Sequence, residues 1–161
     1  MIRRLTEADL PTAAEVIRAS FATVAAEFGI TRENCPAHTS FITAERLRDH
    51  YRGGAEMYGW FNGENMAGYV SLSDQGEGAF SLHNLAVLPE HQHNGYGKRL
   101  LDFCKEQVRQ SGGIKIQIGI IEEHTVLKDW YAGNGFTHTG TKRFDHLPFV
   151  VGYMEWGADH G

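Results

Sequence analysis

The chain has 161 residues, of which 42% are hydrophobic and 22% charged, a composition typical of one globular domain. Its net charge of -5 argues against non-specific nucleic-acid binding, which needs basic surface to displace phosphate counterions. The start of the chain lacks the apolar run of a signal peptide, and no stretch approaches the ~18 apolar residues of a membrane span. We therefore expect one soluble domain over residues 1–161 that binds neither nucleic acid nor a membrane.

The first part of the chain predicts a short strand and two helices. Residues 2–5 favour a strand, and apolar residues then recur every three or four positions from Leu10 to Phe28. We interpret this stripe as core and not as a ligand-binding face. A second helix is predicted over residues 43–50, after a polar loop.

The remaining elements alternate between strands and helices. Strands over 57–61 and 66–72 flank the turn Asn62-Gly63 and predict a hairpin. A strand over 80–88, a helix over 95–110 and a strand over 114–121 form a parallel crossover unit. A helix over 125–132 and strands over 136–143 and 149–156 follow. This order predicts a mixed sheet with helices on both faces.

The two cysteines have unrelated settings. Cys35 falls in the polar loop, and Cys104 falls on the apolar face of the helix over 95–110. Both are therefore predicted to be free thiols, with Cys104 in the core. Free thiols favour a cytoplasmic location.

A glycine-rich turn joins the strand over 80–88 to the helix that follows, in the segment LAVLPEHQHNGYGKRLL. Free N–H groups at the start of a helix can bind phosphate oxygens. A nucleotide-triphosphate loop would need a glycine where Gln92 stands and a hydroxyl where Arg99 stands. A dinucleotide-binding turn would need a third glycine at Leu100 and an earlier place in the chain. Both of these readings fail.

The pattern Gln92-x-x-Gly95-x-Gly97 resembles the Arg/Gln-x-x-Gly-x-Gly/Ala signature of the GNAT superfamily of N-acetyltransferases. The resemblance extends upstream to HNLAVLPEHQ and downstream to LKDWYAGNGF. It implies an α/β (α+β) fold with a mixed, mostly antiparallel sheet of about seven strands. This sheet would be splayed at its central parallel pair, beside Val87, with helices on both faces.

The same resemblance implies acetyl-CoA as co-substrate. Backbone groups of Leu85 and Val87, with Ala86 between them, would bind the pantetheine arm. His124 stands where the family often carries an asparagine that contacts the cofactor, and it is a further binding candidate. The pyrophosphate would be bound by the loop residues Gln92, His93, Asn94, Gly95, Tyr96, Gly97 and Lys98.

Two residues are candidates for catalysis. Tyr131 matches the family position of the general acid that protonates the departing sulfur, although it could also be a core aromatic beside Trp130. His83 lies where several family members carry a glutamate as general base, and its reference pKa near ~6.5 suits proton removal at neutral pH. The alternatives are a structural histidine and a water molecule as the base. His91 and His93 lack a third ligand at recognisable spacing, so no metal is predicted.

The expected activity is direct acetyl transfer to a primary amine of a small molecule or peptide, without a covalent acetyl-enzyme. The alternative is a catalytically silent acyl-CoA-binding or sensor domain, and a longer acyl donor and a homodimer also stay open. By resemblance, the acceptor pocket would be built from residues 28–41 and 143–149. The polar candidates in these segments are Glu33, Cys35, His38, Asp145 and His146.

Overall fold

A computed structural model describes residues 1–158, so the last three residues of the predicted domain, 159–161, lie outside the described part. The strands are β1 (Ile2–Arg4), β2 (Glu56–Asn62), β3 (Asn65–Gly76), β4 (Ala79–Val87), β5 (Lys115–Ile121), β6 (Thr137–Arg143) and β7 (Val150–Gly157). The α-helices are α1 (Leu10–Glu27), α2 (Ala44–Arg52), α3 (Tyr96–Gln110) and α4 (Thr125–Gly133).

The seven strands form one sheet in the order β1-β2-β3-β4-β5-β7-β6. Among these strands only β4 and β5 are parallel neighbours, and the others pair antiparallel. The predicted mixed sheet is therefore confirmed. β3 continues past its predicted end, because Asp74 pairs with Phe80 and Gly76 with Ala79.

The parallel pair holds together over only part of its length. β4 and β5 pair from Ala79 and Lys115 to Ser81 and Gln117, and then separate. The sheet is thus open from the middle of β4 onwards, which includes the expected position beside Val87. The separation leaves backbone groups of both strands without the partners that a continuous sheet would supply.

Helices cover both faces of the sheet. On one face α3 buries Leu100, Leu101, Cys104 and Val108 completely against the strands. On the other face α1 and α2 contribute a second cluster with β2 and β3. Cys104 is therefore a core thiol as predicted, and Cys35 is also buried and free. Within residues 1–158, no helix combines the length and the hydrophobicity that a membrane crossing requires.

The interpretation of α1 as purely core is wrong for its second half. Leu10, Ala14 and Ile17 are buried, whereas Phe21 and Val24 are only half-buried and line a cavity. The reason is that the helix packs on β3 and β4 along its first turns and then extends over the gap beside β4. Its end reaches α4, where the ring of Phe28 lies 5.1 Å from that of His124.

Candidate active site

A cavity of about 750 Å³ lies where β4 and β5 separate. One end is bordered by the loop before α3, the first turn of α3, and α4. The other end is bordered by the second half of α1 and by the connection between β6 and β7. The cavity is therefore a single space with two differently built ends, as a reaction between two substrates requires.

The loop before α3 is shaped by two residues with left-handed backbone conformation, His93 (φ 68°) and Gly95 (φ 79°). The first helical hydrogen bond of α3 is donated by the N–H of Arg99 to the carbonyl of Gly95 at 3.1 Å. The N–H groups of Tyr96, Gly97 and Lys98 precede that bond and point out of the helix start. Together with the helix dipole they can bind phosphate oxygens.

The first turn of α3 is held in place by aromatic packing. The ring of Tyr96 stacks on Trp60, with 4.8 Å between the ring centroids. A Cβ atom at Gly97 would lie 3.7 Å from the ring of Trp130 and 3.9 Å from Val87. The glycine therefore leaves a narrow passage between α4 and β4 that a larger side chain would fill.

The backbone of β4 presents alternate residues to the gap. The N–H of Leu88 donates to the carbonyl of Ala67 on β3, and Ala86 pairs with Tyr69, so the backbone polar groups of Ala86 and Leu88 face β3. Because these directions alternate along a strand, the backbone polar groups of Leu85 and Val87 face away from β3. Ala86 is buried and does not line the cavity.

Both backbone groups of Val87 have side-chain partners. Its N–H donates to the hydroxyl of Ser20 at 3.3 Å, and its carbonyl accepts from the side-chain amide of Gln92 at 3.1 Å. The side chain of Ser20 is half-buried and that of Gln92 is exposed. Both can exchange for the amides of an incoming extended chain, which would then lie beside β4 like an added strand. The residues present therefore fit a pantetheine arm.

Tyr131 lies at the wall of the cavity, near the end of α4. It is 5% exposed, and its ring makes edge contacts with Trp130 and Phe136. Burial, with a smaller effect of Cys104, raises the pKa of Tyr131, so the phenol stays protonated at neutral pH. Such a group can donate a proton into the cavity.

His83 lies on β4 but is not among the residues that line the cavity. It pairs with Ser71 across the strand pair, and its side chain is exposed, close enough to α2 for the charge of His50 to act on it. Desolvation by surrounding protein, with the charge of His50 as a second cause, lowers the pKa of His83 below its usual 6.5.

A bulge explains why His83 turns away from the cavity. Between the pairs Tyr69–Ala86 and Ser71–His83, β4 contains one residue more than β3. The adjacent Asn84 has a φ of 56°, its side chain accepts a hydrogen bond from Thr39 at 3.3 Å, and it lines the cavity. An inserted residue reverses which face the side chains occupy.

Most of the predicted site residues meet at the cavity. Those that line it are Tyr131, Leu85, Val87, Gln92, His93, Gly95, Tyr96, Gly97, Lys98 and His124. Three do not, namely His83, Ala86 and Asn94. Of the polar acceptor-site candidates only His38 lines the cavity, whereas Glu33, Cys35, Asp145 and His146 do not. Within residues 1–158, no group of three or more histidine, cysteine or acidic side chains could hold a metal.

Several residues of the cavity wall are not predicted from the sequence. They come from the second half of α1, whose apolar stripe predicts only core, and from the bulge, and they are Ser20, Phe21, Val24, Glu27 and Asn84. Asn84 carried a signal, because asparagine is one of the few residues that adopt positive φ readily. The residues of α1 carried none, since their spacing is that of any buried helix face.

Comparison with known proteins supplies the family. The family described as "Acetyltransferase (GNAT) domain" matches residues 28–154, most of the chain. The chain belongs to the GNAT acetyltransferase family. The mixed sheet, opened at its parallel pair, is the fold expected of a GNAT protein, and membership supports acetyl transfer as the reaction.

Individual relatives agree with this assignment. An uncharacterized N-acetyltransferase in the pepI 3′ region of Lactobacillus delbrueckii subsp. lactis is 27% identical over 94% of this chain and 89% of its own length. The PaiA N-acetyltransferase of Thermoplasma acidophilum in complex with coenzyme A shares the fold at a TM-score of 0.74, with 23% identity over 98% of both chains. The putative acetyltransferase yncA of Salmonella typhimurium with acetyl-CoA has a TM-score of 0.76, with 17% identity over 99% of this chain and 94% of that one.

Proposed function

We propose that this GNAT protein is a single-domain N-acetyltransferase that passes the acetyl group of acetyl-CoA directly to a primary amine within a ternary complex. The observation that carries the proposal is one cavity that contains the N–H groups at the start of α3, the open edge of β4 and the Tyr131 side chain. The amide groups of the donor's pantetheine arm would replace the side chains of Ser20 and Gln92 as hydrogen-bond partners of the Val87 backbone. The pyrophosphate would lie at the first turn of α3.

In this proposal Tyr131 is the general acid. The amine nitrogen forms a bond to the acetyl carbon as the carbon–sulfur bond breaks, and the phenol donates its proton to the departing sulfur. The nitrogen loses a proton to the general base as it becomes an amide nitrogen, and the base then gives up this proton to solvent, from which the phenol is restored. The phenol is protonated when each cycle begins, and because burial raises the pKa of Tyr131 it is a weak acid that gives up its proton only as negative charge develops on the sulfur.

His83 is the proposed general base, and its position dictates how it would act. Since it does not line the cavity, it would accept the amine proton through water rather than by direct contact. Its lowered pKa keeps the imidazole neutral at pH 7, the form that accepts a proton. Water alone is the competing acceptor.

The test measures CoA release from acetyl-CoA with a panel of primary amines, for wild type and Tyr131→Phe. Removing the hydroxyl should lower kcat by about 10²- to 10⁴-fold, the usual effect of a positioned acid, while acetyl-CoA binding changes little. Tyr153→Phe is the matched control, because it also removes one tyrosine hydroxyl, and Tyr153 lies on β7 and does not line the cavity. Full kcat in Tyr131→Phe would remove this residue from the mechanism.

The same measurement separates an enzyme from a silent binding domain. A sensor would bind acetyl-CoA in calorimetry without releasing CoA for any amine of the panel. The proposed transferase should release CoA in an amount equal to the acetylated amine formed.

A further inference from the structure

The acceptor end of the cavity is built from apolar and aromatic side chains. All of them are half-buried, so part of each remains turned towards the cavity. They come from α1, from the connection between β6 and β7, and from β7, and they are Phe21, Val24, Leu147, Phe149 and Val151. A ligand group that fills this end would therefore exchange water for apolar contacts.

His38 belongs to the same aromatic cluster. Its ring centroid lies 6.4 Å from Phe21 and 6.5 Å from Phe149, both in edge-to-face geometry. The N–H of Ser40 donates to its Nδ1 at 3.2 Å, so in the neutral ring the proton is on Nε2. Burial, and then the charge of Arg46, lower the pKa of His38 and keep the ring neutral. His38 thus adds an aromatic ring to the acceptor end without adding charge.

Charged groups are few at this end. Of the described residues that line the cavity, Glu27 is the one carboxylate, and it stands on the last turn of α1. Lys98 lies at the opposite end and forms an ion pair with Asp102 at 2.7 Å. The nearby Arg46 carries a positive charge that is felt at His38. A polyamine carries several positive charges, and each needs an anionic partner when it leaves water, so a cavity with one carboxylate is poorly suited to bind it.

From these observations we infer that the acceptor is a small arylalkylamine, that is, one primary amine joined by a short alkyl chain to an aromatic ring. This inference rests on the proposed function and narrows it. The ring would pack among Phe21, His38 and Phe149, and a single ammonium group could be drawn in by Glu27. Glu27 would attract the ammonium form as it approaches, whereas the apolar surroundings of the cavity favour loss of its proton, and the neutral amine that results is the form that attacks the thioester.

The test compares 2-phenylethylamine with ethylamine, spermidine and a tripeptide that begins with phenylalanine, using CoA release as the readout. Burying a phenyl ring should raise kcat/KM for 2-phenylethylamine over that for ethylamine by about 10- to 150-fold. Spermidine and the tripeptide should both be poorer acceptors than 2-phenylethylamine. Equal or better turnover of ethylamine, spermidine or the tripeptide would overturn the inference while leaving the transferase activity in place.

Two variants test whether the aromatic ring of the acceptor lies in this end of the cavity. Phe149→Ala and Phe21→Ala, on different elements, should each lower kcat/KM for 2-phenylethylamine about tenfold or more, and by a clearly larger factor than they lower it for ethylamine. Phe144→Ala is the matched control, because Phe144 lies in the same connection but packs against His146 outside the cavity lining. Thermal melting shows that each variant is folded. Equal losses for both amines in the folded variants would contradict the inference.

Calorimetry keeps the two proposals apart. If no amine releases CoA, the proposed function fails. In that case the binding of 2-phenylethylamine to the protein saturated with acetyl-CoA can still be measured. Binding that is weakened by Phe149→Ala and not by Phe144→Ala would support the aromatic site. Absence of binding, or equal weakening by both variants, would overturn it.

Discussion

The histidines near the cavity differ in what surrounds them. His38 is neutral because it is enclosed by aromatic rings, and its Nδ1 is engaged by Ser40. His83 has a lowered pKa because protein atoms and the charge of His50 disfavour its protonated form. Of these two, His38 lines the cavity and His83 does not, so His38 could contact an acceptor directly whereas His83 would need a water molecule between them.

The role of His83 can be tested through the pH dependence of kcat/KM. If His83 is the base, the rate is present above its lowered pKa and is lost as pH falls through that value, below 6.5. His83→Gln should lower the rate and flatten this acidic limb. His50→Gln removes a positive charge that lowers the pKa of His83, so it should move the limb to higher pH. An acidic limb that neither variant alters would assign the proton to water.

The loop between β4 and α3 acts as one element. Gly95 needs its left-handed backbone to turn the chain into α3, whereas Gly97 is needed for space beside Trp130 and Val87. A Cβ at Gly97 makes only ordinary contacts, so substitution there should affect the ligand more than the fold.

Gly97→Val should therefore weaken acetyl-CoA binding by about 100-fold or more, because a branched side chain blocks the approach of the pyrophosphate to the backbone. The measurement is the calorimetric Kd for acetyl-CoA. Gly140→Val is the control, since a Cβ at Gly140 on β6 meets nothing within 4 Å. An unchanged Kd in Gly97→Val would show that the cofactor does not pass this turn.

The whole sheet is incomplete where β4 and β5 separate, and two helices with a loop enclose the gap. A donor bound along β4 would connect the two halves of the sheet. Because it would bind the folded state alone, acetyl-CoA at 100 times its Kd should add about 2.7 kcal/mol to the free energy of unfolding. For a chain of this length the melting temperature should rise by roughly 5–10 °C. Gly97→Val should melt near the wild-type temperature without acetyl-CoA and lose most of this shift; an equal shift in both proteins would contradict binding at the loop.

Most of the fold follows from local sequence patterns. The helices and strands fall within a few residues of the predicted ranges, because the apolar periodicity and the turn residues that define them are local properties. The glycine-rich turn is visible in the sequence because its spacing is local, and Tyr131 is a candidate because the segment around it resembles the family; both line the cavity.

The acceptor end could be found only in part in this way, because His38, Leu147 and Phe149 lie in the two segments that the family resemblance implied, whereas Phe21 and Val24 do not. Whether Phe21 and Val24 are core or cavity wall depends on where a strand pair more than fifty residues away along the chain separates. Whether His83 or Asn84 faces the cavity depends on one bulge, because a single inserted residue exchanges the two faces of a strand. The sequence by itself determined the elements and the glycine-rich turn before α3, whereas the tertiary structure decided which side chains meet across the open sheet, because those contacts join segments that are distant in the chain.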